Sequence, residues 1–364
     1  GYTWSSTGAP MKATVSGKSV NGYTVTVKNG TLQGGQCALR VESKYVPTGV
    51  VLENVTLIAT GTDGEKLALN KYARLAVSGA DEARDMVGAG FLVELDGQAY
   101  AYGVSGFMAA VDALPAEGGT VTLLDDFQSI GNVTYTEDTD KPVTLDFDGH
   151  VYTNTGSSSD NIAFKILYPN ANLTLKNGTI KTAKGYAVYA ISTSGKPSQS
   201  ANNLKLTLDN MTLDGGQAGF GINGTLTGNV TTIKNSTIQN TEYFGIYYPA
   251  DGTLNIENST ISGGKLGVVV KGGTINISGD STSISAAAEE KEPTDYYGGG
   301  SGNITAEGYA LYVEGGYSYD ITLNVSGGTF SSKGEAIKRY VKDSDTQAER
   351  TISVSGGTFS SAVP

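Results

Sequence analysis

Residues Leu173 to Ile180 read LTLKNGTI, and this eight-residue stretch recurs along the chain with small changes. Its template is apolar, any, apolar, any, Asn, any, Thr, apolar. Such alternation of apolar and other residues predicts a short strand with one buried face. The other copies are VTVKNGTL from Val25, VVLENVTL from Val50, LTLDNMTL from Leu206, TTIKNSTI from Thr231, LNIENSTI from Leu254, INISGDST from Ile275, LNVSGGTF from Leu323 and ISVSGGTF from Ile352.

A second family of apolar segments follows the later copies. A unit of two or three short strands in ~20 to 30 residues, with no helix between them, predicts one coil of a parallel β-helix, an all-β solenoid. Successive copies fit this coil length, and we expect the longer interval between Ile275 and Leu323 to hold two coils. The second segments read GYAVYA from Gly185, GFGI from Gly219, GIYY from Gly245, GVVV from Gly267, GYALYV from Gly308 and GEAI from Gly334.

Stacked coils turn each template position into a ladder, because equivalent residues of paired strands lie side by side. We expect the asparagines to line a corner, partly buried, with their amides satisfying backbone groups freed by the turn. Such asparagines are poor glycosylation acceptors, although they form Asn-x-Ser/Thr sequons. The fourth template position alternates in charge, which avoids like charges in register. The ladders are Asn177, Asn210, Asn235 and Asn258; Thr179, Thr212, Thr237 and Thr260; Lys176, Asp209, Lys234 and Glu257; and Lys28 with Glu53.

The composition excludes several classes of function. Charged residues make up 17% of the 364 residues and 50 residues are Gly, which excludes a coiled coil or a helical repeat. A net charge of -11 disfavours a nucleic-acid partner. One Cys (Cys37) and one His (His150) leave too few ligands for a conventional zinc site and allow no intrachain disulfide. No stretch approaches the roughly 18 apolar residues of a membrane span, so we expect no membrane insertion.

The stretch after Phe91 breaks the repeat. Two candidate strands, 91–95 and 99–102, flank the turn at Asp96-Gly97, and a helix follows from Phe107 to Leu114, with Ser105 as its expected cap. The open edge of a parallel stack needs protection, so this β-β-α element is predicted to act as a lid.

The chain therefore divides into three predicted parts. Residues 1–88 form N-terminal β-helix coils, residues 89–126 form the lid, and residues 127–364 form the main β-helix. Within the last part, residues 285–303 are acidic and rich in Gly, which predicts a loop that projects from the stack.

The motifs around the lid resemble those of cell-surface and adhesin-like proteins of gut Gram-positive bacteria, which are built on a pectate-lyase-like right-handed β-helix. The resemblance spans roughly residues 91–364. It implies a right-handed coil and an extracellular location at a bacterial cell surface, with any export signal and wall anchor outside this sequence. The motifs that carry it are Tyr102, Ala110 to Ala113, Gly118 to Asp125, Leu145 to His150, and the VSGGTFSS segments from Val325 and Val354.

Two enzymatic alternatives fit this fold less well. Polygalacturonase-like hydrolases carry clustered aspartates and a Gly-His-Gly, whereas His150 stands in Asp-Gly-His and Arg339 to Lys342 is one residue too long for Arg-x-Lys. Calcium-dependent lyases gather several carboxylates on one face, whereas the carboxylates here are scattered. The segment 146–149 could offer oxygens to calcium, but a polar turn explains it as well. We therefore name no catalytic or metal-ligating residue and expect no cofactor apart from a weak possibility of calcium.

Tyrosines carry the binding hypothesis. Several of the 21 recur on or beside the second strands, and those that face outward would form an aromatic platform for sugar rings or a partner's apolar groups. Packing of the same rings in the solenoid core is the alternative for each of them. The candidate binding residues are Tyr186, Tyr189, Tyr243, Tyr247 and Tyr248, together with Tyr296 and Tyr297 in the projecting loop.

The sequence thus favours a non-catalytic bacterial surface module for adhesion or glycan contact, with a polysaccharide or a host or bacterial surface ligand as its partner. A polysaccharide lyase or glycoside hydrolase is the second hypothesis. A structural stalk without an exposed aromatic strip is the third. Neither the ligand nor the oligomeric state follows from the sequence.

Overall fold

The computed structural model describes residues 11–15, 22–62, 64–158, 161–240, 242–294, 304–315, 319–341 and 349–361. Its helices are α1 (Ala80–Val87) and α2 (Phe107–Ala113), with short 3-10 turns at Val104–Gly106 and Pro197–Gln199. The strands are β1 (Met11–Val15), β2 (Tyr23–Gly34), β3 (Cys37–Ala59), β4 (Glu65–Val77), β5 (Gly90–Leu95), β6 (Gln98–Gly103), β7 (Gly119–Leu123), β8 (Phe127–Ser129), β9 (Val133–Tyr135), β10 (Pro142–Asp146), β11 (Val151–Asn154), β12 (Ile162–Ile166), β13 (Asn172–Thr182), β14 (Tyr186–Ala190), β15 (Lys205–Asp214), β16 (Ala218–Ile222), β17 (Asn229–Lys234), β18 (Thr237–Gln239), β19 (Phe244–Tyr248), β20 (Gly252–Glu257), β21 (Thr260–Gly263), β22 (Leu266–Val270), β23 (Gly273–Ser278), β24 (Ser283–Ala286), β25 (Tyr309–Glu314), β26 (Ile321–Val325), β27 (Thr329–Ser331), β28 (Ile337–Tyr340), β29 (Arg350–Val354) and β30 (Thr358–Phe359).

The chain divides into two compact units. The first contains residues 1–127 and 143–150, and the second contains residues 128–142 and 151–364. No helix in the described ranges has the length and apolar character needed to cross a membrane.

The second unit is a stack of coils with two parallel sheets. The template strands form one of them, called here the template sheet, in which Leu173, Leu206, Thr231 and Leu254 occupy one register position on successive strands. The second segments form the other, called the second sheet. It runs β9-β12-β14-β16-β19-β22-β25-β28, each neighbour parallel. The prediction of an all-β parallel β-helix is confirmed.

The interval from Ile275 to Leu323 holds one coil and not two. Strand β23 pairs directly with β26, with Ile275 opposite Leu323. The extra residues lie between β24 and β25, around the loop predicted at 285–303, so the repeat lengthens there by insertion. The two-coil interpretation is therefore wrong.

The first unit begins with parallel pairing and ends in the lid. The long strand β3 pairs in parallel with β2 and β4, and Val25 lies opposite Val50 as their template positions require. The predicted hairpin is β5–β6, and β6 also pairs antiparallel with β4. That second pairing occupies the edge of β4, which agrees with a role in blunting the stack.

Two details of the first unit differ from the prediction, one in the lid and one in residues 1–88, which were predicted to form only β-helix coils. The first turn of α2 has no side-chain cap, because Ser105 sits in the preceding 3-10 turn and its Oγ accepts the Lys71 N–H at 3.0 Å. Helix α1 was not predicted. It begins after Ser78, whose backbone N–H and Oγ both donate to Glu82 Oε2 at 2.7 Å.

The asparagine corner depends on backbone conformation more than on amide-to-backbone bonds. The template asparagines all adopt left-handed backbone, with φ from 47° to 57°, a region in which Asn is strongly favoured over other non-glycine residues. Their amides bond mainly along the stack: Asn210 Nδ2 donates to Asn177 Oδ1 at 3.1 Å, and Asn235 Nδ2 donates to Asp209 Oδ1 at 3.1 Å. Most are exposed, so the expected burial is wrong. The residues are Asn29, Asn54, Asn177, Asn210, Asn235 and Asn258.

Replacing Asn210 separates these two contributions. Ala in left-handed backbone costs about 1–2 kcal/mol, so Asn210→Ala should lower the free energy of unfolding by about that amount. Asn210→Gly removes the same amide but tolerates the backbone, and should cost clearly less. Chemical denaturation of both variants checks this, and an Ala variant as stable as the Gly variant would contradict it.

The residue after β22 and the last residue of β25 form a buried ion pair. Lys271 Nζ lies 2.9 Å from Glu314 Oε1, and their side chains are 0% and 4% exposed. The Tyr312 hydroxyl donates to the other carboxylate oxygen at 2.6 Å. Burial and then the Glu314 charge raise the pKa of Tyr312, so this phenol remains a donor. The two partners together satisfy a carboxylate that would otherwise be buried uncompensated.

Removing one partner of this pair should be costly. Lys271→Met leaves the Glu314 charge buried, and the free energy of unfolding should fall by about 3–5 kcal/mol. The matched control is Lys234→Met, which removes the same side chain from the exposed Lys234–Asp209 pair and should cost no more than about 1 kcal/mol. Equal losses of unfolding free energy in denaturant titrations of the two variants would contradict this prediction, because they would show that the cost does not depend on whether the pair is buried.

Candidate functional site

The structure buries most of the tyrosines that sequence alone offered for binding. Tyr186, Tyr247 and Tyr248 are 8%, 2% and 0% exposed, so they present no ring face to a ligand. Tyr189 is half-buried, and Tyr243 is 41% exposed. Tyr296 and Tyr297 lie outside the described residues. The predicted aromatic platform is therefore reduced to Tyr243, with Tyr189 partly accessible.

Tyr186 and Tyr247 are buried in an apolar cluster of the second unit. Its members include Tyr186, Phe244, Tyr247, Tyr309 and Tyr312, with Ala306 and Ile304 packed among them. Neighbouring rings on one strand pack together, with centroids 4.4 Å apart for Tyr186–Tyr189 and 6.1 Å apart for Tyr309–Tyr312. Residues at the C-terminal foot of the projecting loop thus cover rings that stand on the second sheet.

Glycine makes room for the first pair of rings. A Cβ on Gly221 would lie 2.5 Å from Tyr186 Cε1 and 2.9 Å from Tyr189 Cδ2. The sequence carried a signal for this packing, because β16, β19, β22 and β25 have small or apolar residues at nearly every position and are buried throughout. Continuous apolar runs of this kind indicate a sheet that is covered on both sides.

A polar groove lies at another corner of the second unit, where β11, β13, β15 and β18 end on successive coils. Its volume is about 520 Å³. Because each coil contributes its own turn, the groove spans four coils. It is lined by Thr153, Asn154, Thr155, Lys181, Thr182, Ala183, Asp214, Gly215, Gly216, Asn240 and Glu242.

Buried side chains fix the turns that form the groove. Asn154 Oδ1 accepts the Gly156 N–H at 2.8 Å, and Asn240 Oδ1 accepts the Glu242 N–H at 2.7 Å. The Thr182 hydroxyl donates to the Lys184 carbonyl at 2.7 Å. These three side chains are at most 5% exposed. Each therefore stabilises its turn by a hydrogen bond made on the buried side of the backbone.

The groove carries charges that the fold does not neutralise. Lys181 and Asp214 occupy adjacent register positions, and Glu242 follows on the next coil. Within the described ranges the side chains of these three residues form no ion pair and no hydrogen bond. The charge ladder of the same sheet behaves differently, since Lys234 Nζ lies 3.1 Å from Asp209 Oδ2. Charged groups left without partners in a groove are available to a ligand.

Tyr243, whose ring is 41% exposed, follows the groove residue Glu242 in the sequence, but its ring does not line the groove. The backbone N–H groups of Glu242 and Tyr243 both donate to Asn240 Oδ1. Lys265 Nζ lies 5.1 Å from the centre of the ring. The groove itself combines hydroxyls, two carboxylates and an ammonium, which are polar groups that can orient a sugar in a protein site. The sequence analysis named Tyr243 but not Lys181 or Glu242. Lys181 and Glu242 line one groove only because of the way successive turns stack, which the sequence pattern does not show.

Two acidic clusters elsewhere have local explanations. In the first unit, His150 Nδ1 lies 3.3 Å from Asp126 Oδ1 and 3.9 Å from Asp125 Oδ1, which forms an exposed ion pair when the imidazole is protonated. In the second unit, Glu292 and Glu335 both bind Lys338 Nζ at 2.9 Å.

The segment considered for calcium forms a polar turn. The Asp146 carboxylate accepts the Asp148 N–H at 3.0 Å, and Asp148 and Gly149 adopt left-handed backbone. The turn thus uses one carboxylate oxygen for its own backbone, as an Asx turn does.

Similarity to known proteins defines the family. Residues 162–351 match the family described as "Right handed beta helix region". No curated protein sequence matches the chain. Among solved structures, a pectin methylesterase from Aspergillus niger in deglycosylated form shares 12% identity over 70% of this chain and 86% of its own, with a TM-score of 0.37.

A Siphovirus 9NA tailspike receptor binding domain shares 11% identity over 94% of this chain and 72% of its own, with a TM-score of 0.20. At such scores neither structure indicates what this protein binds. The family match spans just over half of the 364 residues and agrees with the observed parallel coils. The chain therefore belongs to the right-handed β-helix family.

Proposed function

We propose that this protein is a non-catalytic glycan-contact module, exported to a bacterial cell surface, and that the groove at Lys181, Asp214 and Glu242 receives the glycan. The observation that carries the proposal is that four coils gather Lys181, Asp214 and Glu242 in one groove, with no ion pair to any of the three side chains among the described residues. Sugars present hydroxyl groups that donate and accept hydrogen bonds, and the ammonium and carboxylates of the groove offer partners for both.

The charges that line the groove favour some classes of glycan over others. One ammonium and two carboxylates give a slightly negative lining on a chain whose net charge is -11. A polyanionic glycan would meet repulsion from both sources. A neutral or amino-substituted glycan fits better, with Asp214 and Glu242 accepting hydrogen bonds and Lys181 donating them.

The same residues support a second candidate, a polysaccharide lyase or glycoside hydrolase. Two carboxylates that line one groove are the functional groups of a glycosidase, and a lysine beside them could remove a proton in a lyase. The sequence ladders did not predict that these three residues would share a groove. Because Lys181, Asp214 and Glu242 line the same groove, catalysis stays as the alternative function.

Incubation with soluble glycans tests both functions. The intact protein is incubated with neutral, amino-substituted and uronate-containing glycans, with and without calcium, and both the bound ligand and the released products are measured. Glu242→Gln and Lys181→Met should each weaken glycan binding by about tenfold, which corresponds to loss of one charge-assisted hydrogen bond. The matched control is Glu94→Gln, an exposed carboxylate on the lid, which should bind as the unaltered protein does.

Each outcome bears on one function. Released products that disappear in Glu242→Gln would overturn the non-catalytic proposal in favour of the enzyme. Absence of both binding and products across the panel would favour the structural stalk. Equal affinity of Glu242→Gln and Glu94→Gln would show that a bound glycan lies elsewhere.

A further inference from the structure

Arg74 is a half-buried cation of the first unit that has no acidic partner. It lies on β4, directly opposite Tyr102 of the antiparallel strand β6, so the two side chains stand on the same face of the sheet. No carboxylate in the described part of the chain forms an ion pair with it. Because charges withdrawn from water are normally paired, an external anion is the partner that this arginine would accept.

Two tyrosines fix the orientation of the Arg74 guanidinium. Its Cζ atom lies 4.2 Å from the centre of the Tyr100 ring, and Nη1 donates to the Tyr102 hydroxyl at 3.3 Å. Ala76 is directly opposite Tyr100, and its short side chain leaves that ring to the guanidinium. Burial raises the pKa of Tyr102 against an opposing effect of Arg74, so the phenol stays neutral and does not cancel the charge of the arginine.

One edge of the guanidinium is available to a ligand. Nε and Nη2 of Arg74 form no hydrogen bond with any described residue, and both atoms retain contact with solvent. These two nitrogens lie on the same edge of the planar group and point their N–H bonds in parallel, which is the geometry that holds both oxygens of one carboxylate. A guanidinium that is already oriented by a ring and a hydroxyl loses little freedom when it binds.

Lys71 provides a second cation on the same strand. It is exposed, its Nζ lies 5.7 Å from the centre of the Tyr72 ring, and it has no ion pair within the described ranges. Every other described non-glycine residue with left-handed backbone is Asn or Asp, so a lysine is unusual at this corner. Three residues along a strand span at most about 10 Å, about one Debye length at 0.1 M salt, so Lys71 and Arg74 attract the same anion.

The surroundings of Arg74 are positive although the chain as a whole is acidic. The net charge of the chain is -11. The charge of Asp112 adds to the rise in the pKa of Tyr102, but no ion pair joins Asp112 to Arg74. An anionic ligand is therefore repelled by the chain as a whole and attracted to this part of β4 and β6.

We propose that Arg74, held by Tyr100 and Tyr102, binds the carboxylate of an acidic sugar. The parallel donors on the free edge of the guanidinium match the two oxygens of a carboxylate, and Lys71 strengthens the attraction. The inference rests on the proposed function for the class of ligand, a glycan. Its site lies in the first unit and shares no residue with the groove, whose two carboxylates disfavour the same ligand.

Affinity measurements with acidic glycans test the inference. The full chain is titrated with a uronate oligosaccharide, a glycan that ends in sialic acid, a neutral oligosaccharide and a poly-glutamate peptide. We expect at least one acidic glycan to bind more tightly than the neutral glycan and the peptide, with an affinity that falls as salt is raised. The tighter of the two acidic glycans shows whether the carboxylate lies within the sugar chain or at its end.

The variants remove the charge and the parallel donors separately. Arg74→Gln should weaken binding of the acidic glycan about ten- to a hundredfold, and Arg74→Lys, which keeps only the charge, about tenfold. The matched control is Lys28→Gln, which removes one cation from the exposed Lys28–Glu53 pair of the same unit and should leave the affinity unchanged. Thermal unfolding checks that the variants are folded. If Arg74→Gln is not, Tyr100→Leu removes the supporting ring in its place and should weaken binding several-fold.

The outcomes separate this inference from the proposed function. Failure of both acidic glycans to bind, tighter binding of the peptide, or equal affinity of Arg74→Gln and Lys28→Gln would overturn the inference. Lys181→Met should lose the neutral glycan and keep the acidic one. If Lys181→Met loses the acidic glycan and Arg74→Gln keeps it, the groove holds the carboxylate and Arg74 has no role. If only acidic glycans bind and they do so through Arg74, the groove proposal fails and this inference stands.

Discussion

Parallel stacking in register is the constraint on which the rest of this structure depends. Each coil places its residues directly beside the equivalent residues of the next, so every position must tolerate its own kind as a neighbour. Leucine beside leucine packs, asparagine beside asparagine bonds through its amides, and lysine alternates with an acid. The same rule explains why the chain repeats its sequence and why so much of its surface is regular.

Regular stacking also decides where function can lie. Where the coils repeat exactly, the same outward side chains recur on every coil. Where a turn departs from the repeat, it forms a local surface unlike its neighbours. The groove arises because the turns after β11, β13, β15 and β18 differ in length and composition, which brings Lys181, Asp214 and Glu242 to one groove, where no described residue forms an ion pair with them.

The two sheets of the second unit show how one backbone pattern supports different surfaces. The template sheet alternates buried apolar and outward polar residues, so its outer face meets solvent. The second sheet carries apolar and aromatic residues at nearly every position, and its outer side is covered by its own rings and by Ile304 and Ala306. Covering that sheet also requires the buried pair Lys271–Glu314 to be satisfied internally, with Tyr312 as its additional donor.

The sequence by itself determined the fold class, the coil register, the charge ladder, the hairpin with its following helix, and the position of the asparagine corner, because each depends on residues close in sequence or repeated at one spacing. It did not determine the exposure of Tyr247 and Tyr248, the single long coil between Ile275 and Leu323, or the meeting of Lys181 with Glu242. Those features depend on which distant segments cover a strand and on how unequal turns stack, and no local pattern encodes either. Tertiary structure alone placed the aromatic rings inside the molecule and left the groove charges free, because burial and pairing are properties of neighbours that the sequence does not bring together.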